Sequence, residues 1–126
     1  MEKFYQMLEK IKKYPGMYLG EKSLSQLSYF IGCYSLITDE LMGEKLPFVY
    51  LFSIYINYEY KTGQNGSDKW WSDIILENKS QAEAFDLFYD YLEKFKNLMK
   101  TPEIFQEMKK ENDERKHRAL EQWKLG

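Results

Sequence analysis

Phe48–Tyr60, FVYLFSIYINYEY, decides the fold of this chain, and it reads two ways. Phe52, Ile54, Ile56, Tyr58 and Tyr60 alternate with Ser53, Tyr55, Asn57 and Glu59, a strand pattern rich in β-forming residues. Phe48, Leu51, Phe52, Tyr55 and Tyr58 also line one helical face. The loop that follows, Thr62-Gly63-Gln64-Asn65-Gly66-Ser67, carries an Asn-Gly pair able to reverse a hairpin into Trp70–Leu76. Two architectures result. One is a mainly α, compact single-domain helical bundle; the other is α+β, with a hairpin formed by 49–61 and 69–76. Periodicity alone does not choose between them.

The flanks are easier to read. Phe4, Met7, Leu8 and Ile11 recur at spacings of three and four, so Glu2–Lys13 is expected to be a helix with Lys10, Lys12 and Lys13 near its C-terminal dipole. Tyr14-Pro15-Gly16 should end it in a type II turn, because proline lacks the amide donor and glycine accepts positive φ. A second helix should start at Ser23, where Ser23 and Gln26 fit a capping box, and continue through Leu27, Phe30, Ile31, Tyr34, Ile37 and Leu41 to a stop at Gly43. Gly32 and Cys33 are small enough to let another helix approach it closely. A further helix begins at Ser80, again with a capping box, and its stripe Ala84, Phe85, Phe88, Tyr91, Leu92, Phe95, Leu98 and Met99 makes it the central packing element. Thr101-Pro102 then starts the last helix. It packs through Ile104, Phe105 and Met108 and loses its apolar face over Lys109–Arg118, KKENDERKHR. Residues 109–126 therefore read as a charged helix that projects into solvent or meets a partner, within a single domain covering 1–126.

Composition narrows the function. Among 126 residues, 22 are aromatic, too many for a disordered tail. Eighteen basic against 20 acidic side chains leave a formal charge of −2, so no overall basic field draws nucleic acid to the chain. A single cysteine, Cys33, excludes an internal disulfide and a cysteine-based zinc site, and a single histidine, His117, sits among charges. No glycine-rich phosphate loop occurs. No apolar stretch approaches the roughly 18 residues that span a bilayer, and Met1-Glu2-Lys3-Phe4 opens no signal core. The expectation is a cytoplasmic, non-enzymatic protein with no metal or other cofactor, no membrane contact and no direct nucleic-acid contact; a homo-oligomer stays open.

The most informative charges lie on the helix after Ser80. At 100° per residue Glu83, Asp86, Asp90 and Glu93 fall within a sector of about 80°, opposite the apolar stripe. From Asp68 to Glu93 seven acids (Asp68, Asp73, Glu77, Glu83, Asp86, Asp90, Glu93) face only Lys69 and Lys79, a local charge of −5. A solvated helix face is the plain reading of such a row. The sharper one is a docking face for a basic partner such as a nuclease cleft. Acid–base catalysis would need an enclosing pocket and a raised pKa, which a helix face does not supply. Trp70, beside Trp71 and Asp68, is the candidate aromatic anchor, and one of the two tryptophans should be core. Cys33 reads as a small apolar filler and His117 as a surface residue.

Pro15-Gly16-Met17-Tyr18-Leu19-Gly20 resembles the PGMYIG element at the N-terminus of the ATPase subunit of type II topoisomerases. That family's next helix carries a catalytic Glu and a magnesium-binding Asn, and Leu27–Tyr34, LSYFIGCY, has neither, so an ATPase is rejected. A longer resemblance runs through Pro15–Gly20, Ser23-Leu24, Leu27, Phe30-Ile31 and Tyr34, with Cys33 where a variable residue stands, and continues through Trp71, Ile74 and Ile75 into Ala84–Phe95. In that order the chain resembles the immunity proteins encoded beside contact-dependent and other polymorphic bacterial toxins. The resemblance implies a mainly helical fold, which tips Phe48–Tyr60 toward helix. It also implies an antitoxin that binds one cognate toxin domain, commonly an RNase or another nuclease, and blocks its active site or substrate groove. The partner-binding residues expected are Glu83, Asp86, Asp90 and Glu93, extended by Asp68, Trp70 and Asp73. Pro15, Gly16, Tyr18 and Gly20 are expected to be structural, with Met17, Tyr18 and Leu19 plugged between the first two helices. The competing reading is a non-enzymatic adaptor or assembly subunit.

Overall fold

A computed structural model describes residues 1–125. The chain is mainly α: 77% of the described residues are helical, in seven helices, with no strand among them. In chain order they are α1 (Glu2–Lys13), α2 (Pro15–Leu19), α3 (Leu24–Met42), α4 (Phe48–Glu59), α5 (Trp71–Leu76), α6 (Gln81–Leu98) and α7 (Pro102–Leu125). Both arms of the alternative hairpin, 49–61 and 69–76, are thus helical or loop. The ambiguity of Phe48–Tyr60 has a physical cause. In α4, Phe48, Phe52, Tyr55, Ile56 and Asn57 are buried, and Val49, Leu51, Ser53, Ile54 and Tyr58 are half-buried. A helix covered on most sides has no polar face to mark a 3.6-residue period.

The residues gather in two compact units, Met1–Val49 with Ile75–Asp90, and Tyr50–Ile74 with the chain from Tyr91 onward; α4, α5 and α6 each contribute to both. In the first, α1 buries Phe4, Leu8 and Ile11, one face at spacings of four and three, while α3 buries Leu24, Leu27 and Ile31. The Phe4 ring lies 4.9 Å from that of Phe48. α6 adds Ala84, Phe85, Phe88 and Tyr89 to the buried set, and the Tyr89 hydroxyl donates to the Leu8 carbonyl of α1 at 2.7 Å. Burial, with the nearby Glu9 carboxylate, pushes this phenol above its ordinary range. Ser23 caps α3 as expected, its Oγ accepting from the Gln26 amide at 3.2 Å. A second cap comes from α6: Gln81 Oε1 accepts from Ser23 Oγ at 3.1 Å and from the Ser25 amide at 2.9 Å.

Two expectations in this unit are corrected. No type II turn forms at Tyr14-Pro15-Gly16. Pro15 takes the first position of α2, where its fixed φ suits a helix, Gly16 is helical, and the left-handed backbone falls on Gly20 at φ 82°. Nor do Met17 and Tyr18 plug between helices: they are 69% and 47% exposed. On α3, likewise, Ile37 and Leu41 face solvent, and Ser28 and Thr38 take buried places instead.

In the second unit Phe52 packs edge-on against Trp71 and Phe95, each with ring centroids 5.4 Å away. Asn57, a single polar side chain in the buried part of α4, organises the loop that follows. Its Nδ2 donates to the Ser53 carbonyl (2.8 Å) and the Lys69 carbonyl (3.1 Å), and its Oδ1 accepts from the Lys69 amide (3.1 Å) and the Thr62 hydroxyl. One carboxamide therefore holds both ends of residues 62–69. The polar stretch of α7 closes over the same region rather than projecting from Lys109. Buried Asn112 donates to the Ile54 carbonyl (2.9 Å), Arg115 to the Thr62 carbonyl (3.3 Å), and Lys116 pairs with Asp68 (3.1 Å). Gly63 and Gly66, at φ 91° and 86°, sit directly under Lys116 and Leu120, and a Cβ on either would lie 2.8 Å or 2.5 Å from those side chains. Beyond them Trp123 and Leu125 are exposed.

Candidate functional site

The acidic row is built by α6. Ser80 caps it: the Glu83 amide donates to Ser80 Oγ at 3.1 Å, and Ser80 Oγ donates to Glu83 Oε1 at 3.0 Å. That cap starts α6 at Gln81, and the buried stripe of Ala84, Phe85, Phe88, Tyr89, Leu92 and Phe95 then fixes the helix rotation. Glu83, Asp86, Asp90 and Glu93 consequently all point to solvent. Tyr89, next to Asp90 in sequence, turns inward, and Lys94, just after Glu93, is exposed at the edge of the sector, so the sector itself is carboxylate-rich.

The four acids differ in how free they are. Asp86 is held by Lys22, with Nζ 2.7 Å from its Oδ1 and 2.8 Å from its Oδ2. Glu83 is engaged in the cap. Asp90 and Glu93 form no ion pair among the described residues. Of the expected extensions, Asp68 is paired with Lys116, Asp73 is exposed in the first turn of α5, and Trp70 is 47% exposed beside fully buried Trp71. Asp68, Trp70, Asp73 and Glu93 belong to the second unit, and Glu83, Asp86 and Asp90 to the first. Two of the seven acids between Asp68 and Glu93 are thus matched by lysines that the local count of −5 did not include. Both ion pairs lie at the surface, where such pairs contribute at most about 1 kcal/mol.

Each unit also holds polar clusters of its own. In the second unit the Tyr91 hydroxyl donates to that of Tyr60 at 3.0 Å, and burial raises the phenols of Tyr55 and Tyr60 above their ordinary range, with Glu59 and Tyr91 adding to the shift. In the first, a groove of about 450 Å³ runs beside the start of α1 and the end of α3, lined by Met1, Glu2, Tyr34, Thr38, Met42 and Leu46 among others. Pro15 and Tyr18 lie on α2, and Gly20 ends it. Cys33 is a half-buried free thiol and His117 is exposed. Among the described residues no group of three or more His, Cys, Asp and Glu side chains could hold a metal ion, and no helix is long and apolar enough to cross a membrane. Sequence reading passed over the Asn57 and Gln81 clamps. Each joins backbone groups brought together only by the fold, so neither leaves a spacing to recognise.

Solvated carboxylates aligned on one helix can attract and orient a cationic surface. Their field raises encounter rates with a basic partner and disfavours acidic ones. No protein-family model, no curated protein and no solved structure matches this chain.

Proposed function

We propose that this protein is an immunity-type inhibitor: a non-catalytic, cytoplasmic antitoxin that binds a basic toxin domain, an RNase or another nuclease, and obstructs its active site or substrate groove. One observation carries the reading. α6 sets Glu83, Asp86, Asp90 and Glu93 outward along a helix whose opposite side is buried, so the carboxylates are displayed from an ordered element. The resemblance through Pro15–Tyr34 and Ala84–Phe95 supplies the antitoxin class. Asp90 and Glu93 are the residues to alter, because reversing them breaks no internal ion pair. The test is binding to, and protection from, the toxin domain encoded beside this gene. Asp90→Lys with Glu93→Lys is expected to weaken binding by one to two orders of magnitude at low salt, mostly through slower association. The melting temperature should stay nearly unchanged. Unaltered affinity and protection in that double variant would remove α6 as the interface, and absence of any binding by the wild-type chain would remove the antitoxin reading.

A further inference from the structure

α3 is a surface helix without a surface composition. From Leu24 to Thr38 it carries no charged side chain, yet Tyr29 is 74% exposed, Leu36 61% and Ile37 51%, with Leu41 at 80% one turn further on. At 100° per residue these four lie within a sector of about 140°, centred roughly 130° round the helix from buried Leu27 and Ile31. Half-buried Phe30 and Cys33 fall inside that sector. Tyr34, about 20° past Leu41, leads into the groove of about 450 Å³ that it lines with Thr38, Met42 and Leu46. Monomeric proteins rarely leave so continuous an apolar strip in water. A strip that runs into a groove of side-chain size has the form of an interface centre, where a few large anchors fill pockets on the facing molecule.

The charges around the strip indicate what covers it. Every charged side chain of α3 is a carboxylate, Asp39 and Glu40, and Glu40 lies inside the apolar sector. Neither forms an ion pair among the described residues. Both add to the negative end of the helix dipole, and no basic residue in the last turn offsets them. Glu44 and Lys45, just beyond, cancel each other. At the other end Lys22 is taken by Asp86, which leaves Glu21. With acid at both ends, α3 laid against α3 of a second copy gains no opposite charge. A partner whose apolar contact is rimmed by basic side chains gains at each end. We propose that α3 is a second contact surface for the basic toxin domain. Tyr29, Leu36, Ile37 and Leu41 form its apolar centre, the groove beside Tyr34 and Met42 receives a large side chain of the toxin, and Asp39 and Glu40 meet the basic rim. The proposal rests on the antitoxin reading and gives α3 and α6 different tasks. The α6 carboxylates speed encounter from a distance, whereas desolvated apolar contact at α3 slows dissociation. The bonds between Gln81 and both Ser23 and Ser25, with the Lys22–Asp86 pair, join the starts of the two helices, so a single partner reaches both.

Binding kinetics of the full-length protein with the toxin domain encoded beside its gene test this, with the native thiol as a footprint. Tyr29→Ala together with Ile37→Ala is expected to raise the dissociation rate about tenfold or more, with the association rate changed less than about threefold and the melting temperature kept. Asp90→Lys with Glu93→Lys should slow association instead. Cys33 lies between Tyr29 and Ile37 in the strip. Saturating toxin should therefore slow its alkylation by N-ethylmaleimide about tenfold or more, followed as a single adduct on the 15.3 kDa chain, and an unrelated basic protein at the same concentration should not. A toxin that binds the wild type but leaves the double alanine variant at an unchanged rate, or leaves Cys33 as reactive as in the free chain, overturns this proposal and lets the antitoxin reading stand. A wild-type chain that does not bind the toxin removes both. Sedimentation of the chain alone from about 1 µM to 1 mM is expected to show a monomer. A dimer there that the double alanine variant dissolves would assign the face to a second copy and overturn the proposal.

Discussion

Asn57→Ala is the substitution that most directly probes how the second unit is held together. It removes four hydrogen bonds, and a longer one to Ser53 Oγ at 3.4 Å, around a side chain that is 1% exposed. Two of them cost little. The Ser53 carbonyl is a helix carbonyl with a backbone donor at hand, and the Thr62 hydroxyl also reaches the Asn57 carbonyl at 3.3 Å. The loss therefore centres on Lys69, whose amide and carbonyl both depend on Asn57 at 3.1 Å. Net hydrogen bonds contribute about 0.5–1.5 kcal/mol each, with more when a group is left buried without a partner. Lys69 is itself exposed, so water can replace part of what is lost. Alanine's better helix propensity returns about 0.5 kcal/mol. The expected destabilisation is about 2 kcal/mol, which for a chain of this size corresponds to a fall in Tm of roughly 6–10 °C. Urea unfolding should show a midpoint lower by about 1 M at unchanged slope. Hydrogen exchange should show the Lys69 amide losing its protection, with the Leu92 amide in the interior of α6 following only the global stability. A midpoint within about 0.3 M of wild type, or a Lys69 amide as protected as before, would refute the view that this carboxamide organises the loop.

Four other substitutions test separate parts of the structure. Tyr89→Phe should cost about 1 kcal/mol near neutral pH through loss of the bond to the Leu8 carbonyl. Because folding raises this phenol's pKa, its share of stability is complete below the unfolded value of about 10 and lost as pH rises toward the folded value; urea titrations should show the gap between wild type and variant closing above about pH 10. Gly66→Ala combines a φ of 86° with a Cβ 2.5 Å from Leu120, and thermal unfolding should show it costing about 2 kcal/mol or more. Gly43→Ala, at φ 65° but with open space around it, should cost about 1 kcal/mol from the backbone alone. Lys22→Met breaks the ion pair with Asp86, whose side chains are 43% and 63% exposed, and should change stability by less than about 0.5 kcal/mol in chemical unfolding.

Much of the fold was legible in the sequence because three helices bury one recognisable stripe. Glu2–Lys13 and the Ser80 start of α6 follow from apolar spacing and capping residues, and Pro102 marks the first turn of α7. Phe48–Glu59 resisted because its buried surroundings erase the contrast on which periodicity depends. α3 misled differently: its apolar residues occupy two faces, and spacing cannot say which of them the chain covers. For the acidic row, exposure was legible, since each acid lies opposite a packed residue of α6. The neutralising lysines were not. Lys22 lies 64 residues from Asp86, and Lys116 lies 48 residues from Asp68. Polar docking of α7 through Asn112, Arg115 and Lys116 was hidden for a related reason, because bonds to backbone carbonyls impose no hydrophobic period.

The closure of α7 over residues 62–69 also orders events in time during synthesis. Asn57 can grip Lys69 as soon as twelve more residues have been made, but Asp68 must wait a further 48 residues for Lys116. At ribosomal rates of about 5–20 residues per second, that interval lasts roughly 2–10 seconds. Through it, a glycine-rich loop stands open on a nascent chain, fastened at its base and uncovered along its length. A protease or chaperone acting on this protein as it is made would find its opening there, and the last three turns of α7 determine when that opening shuts.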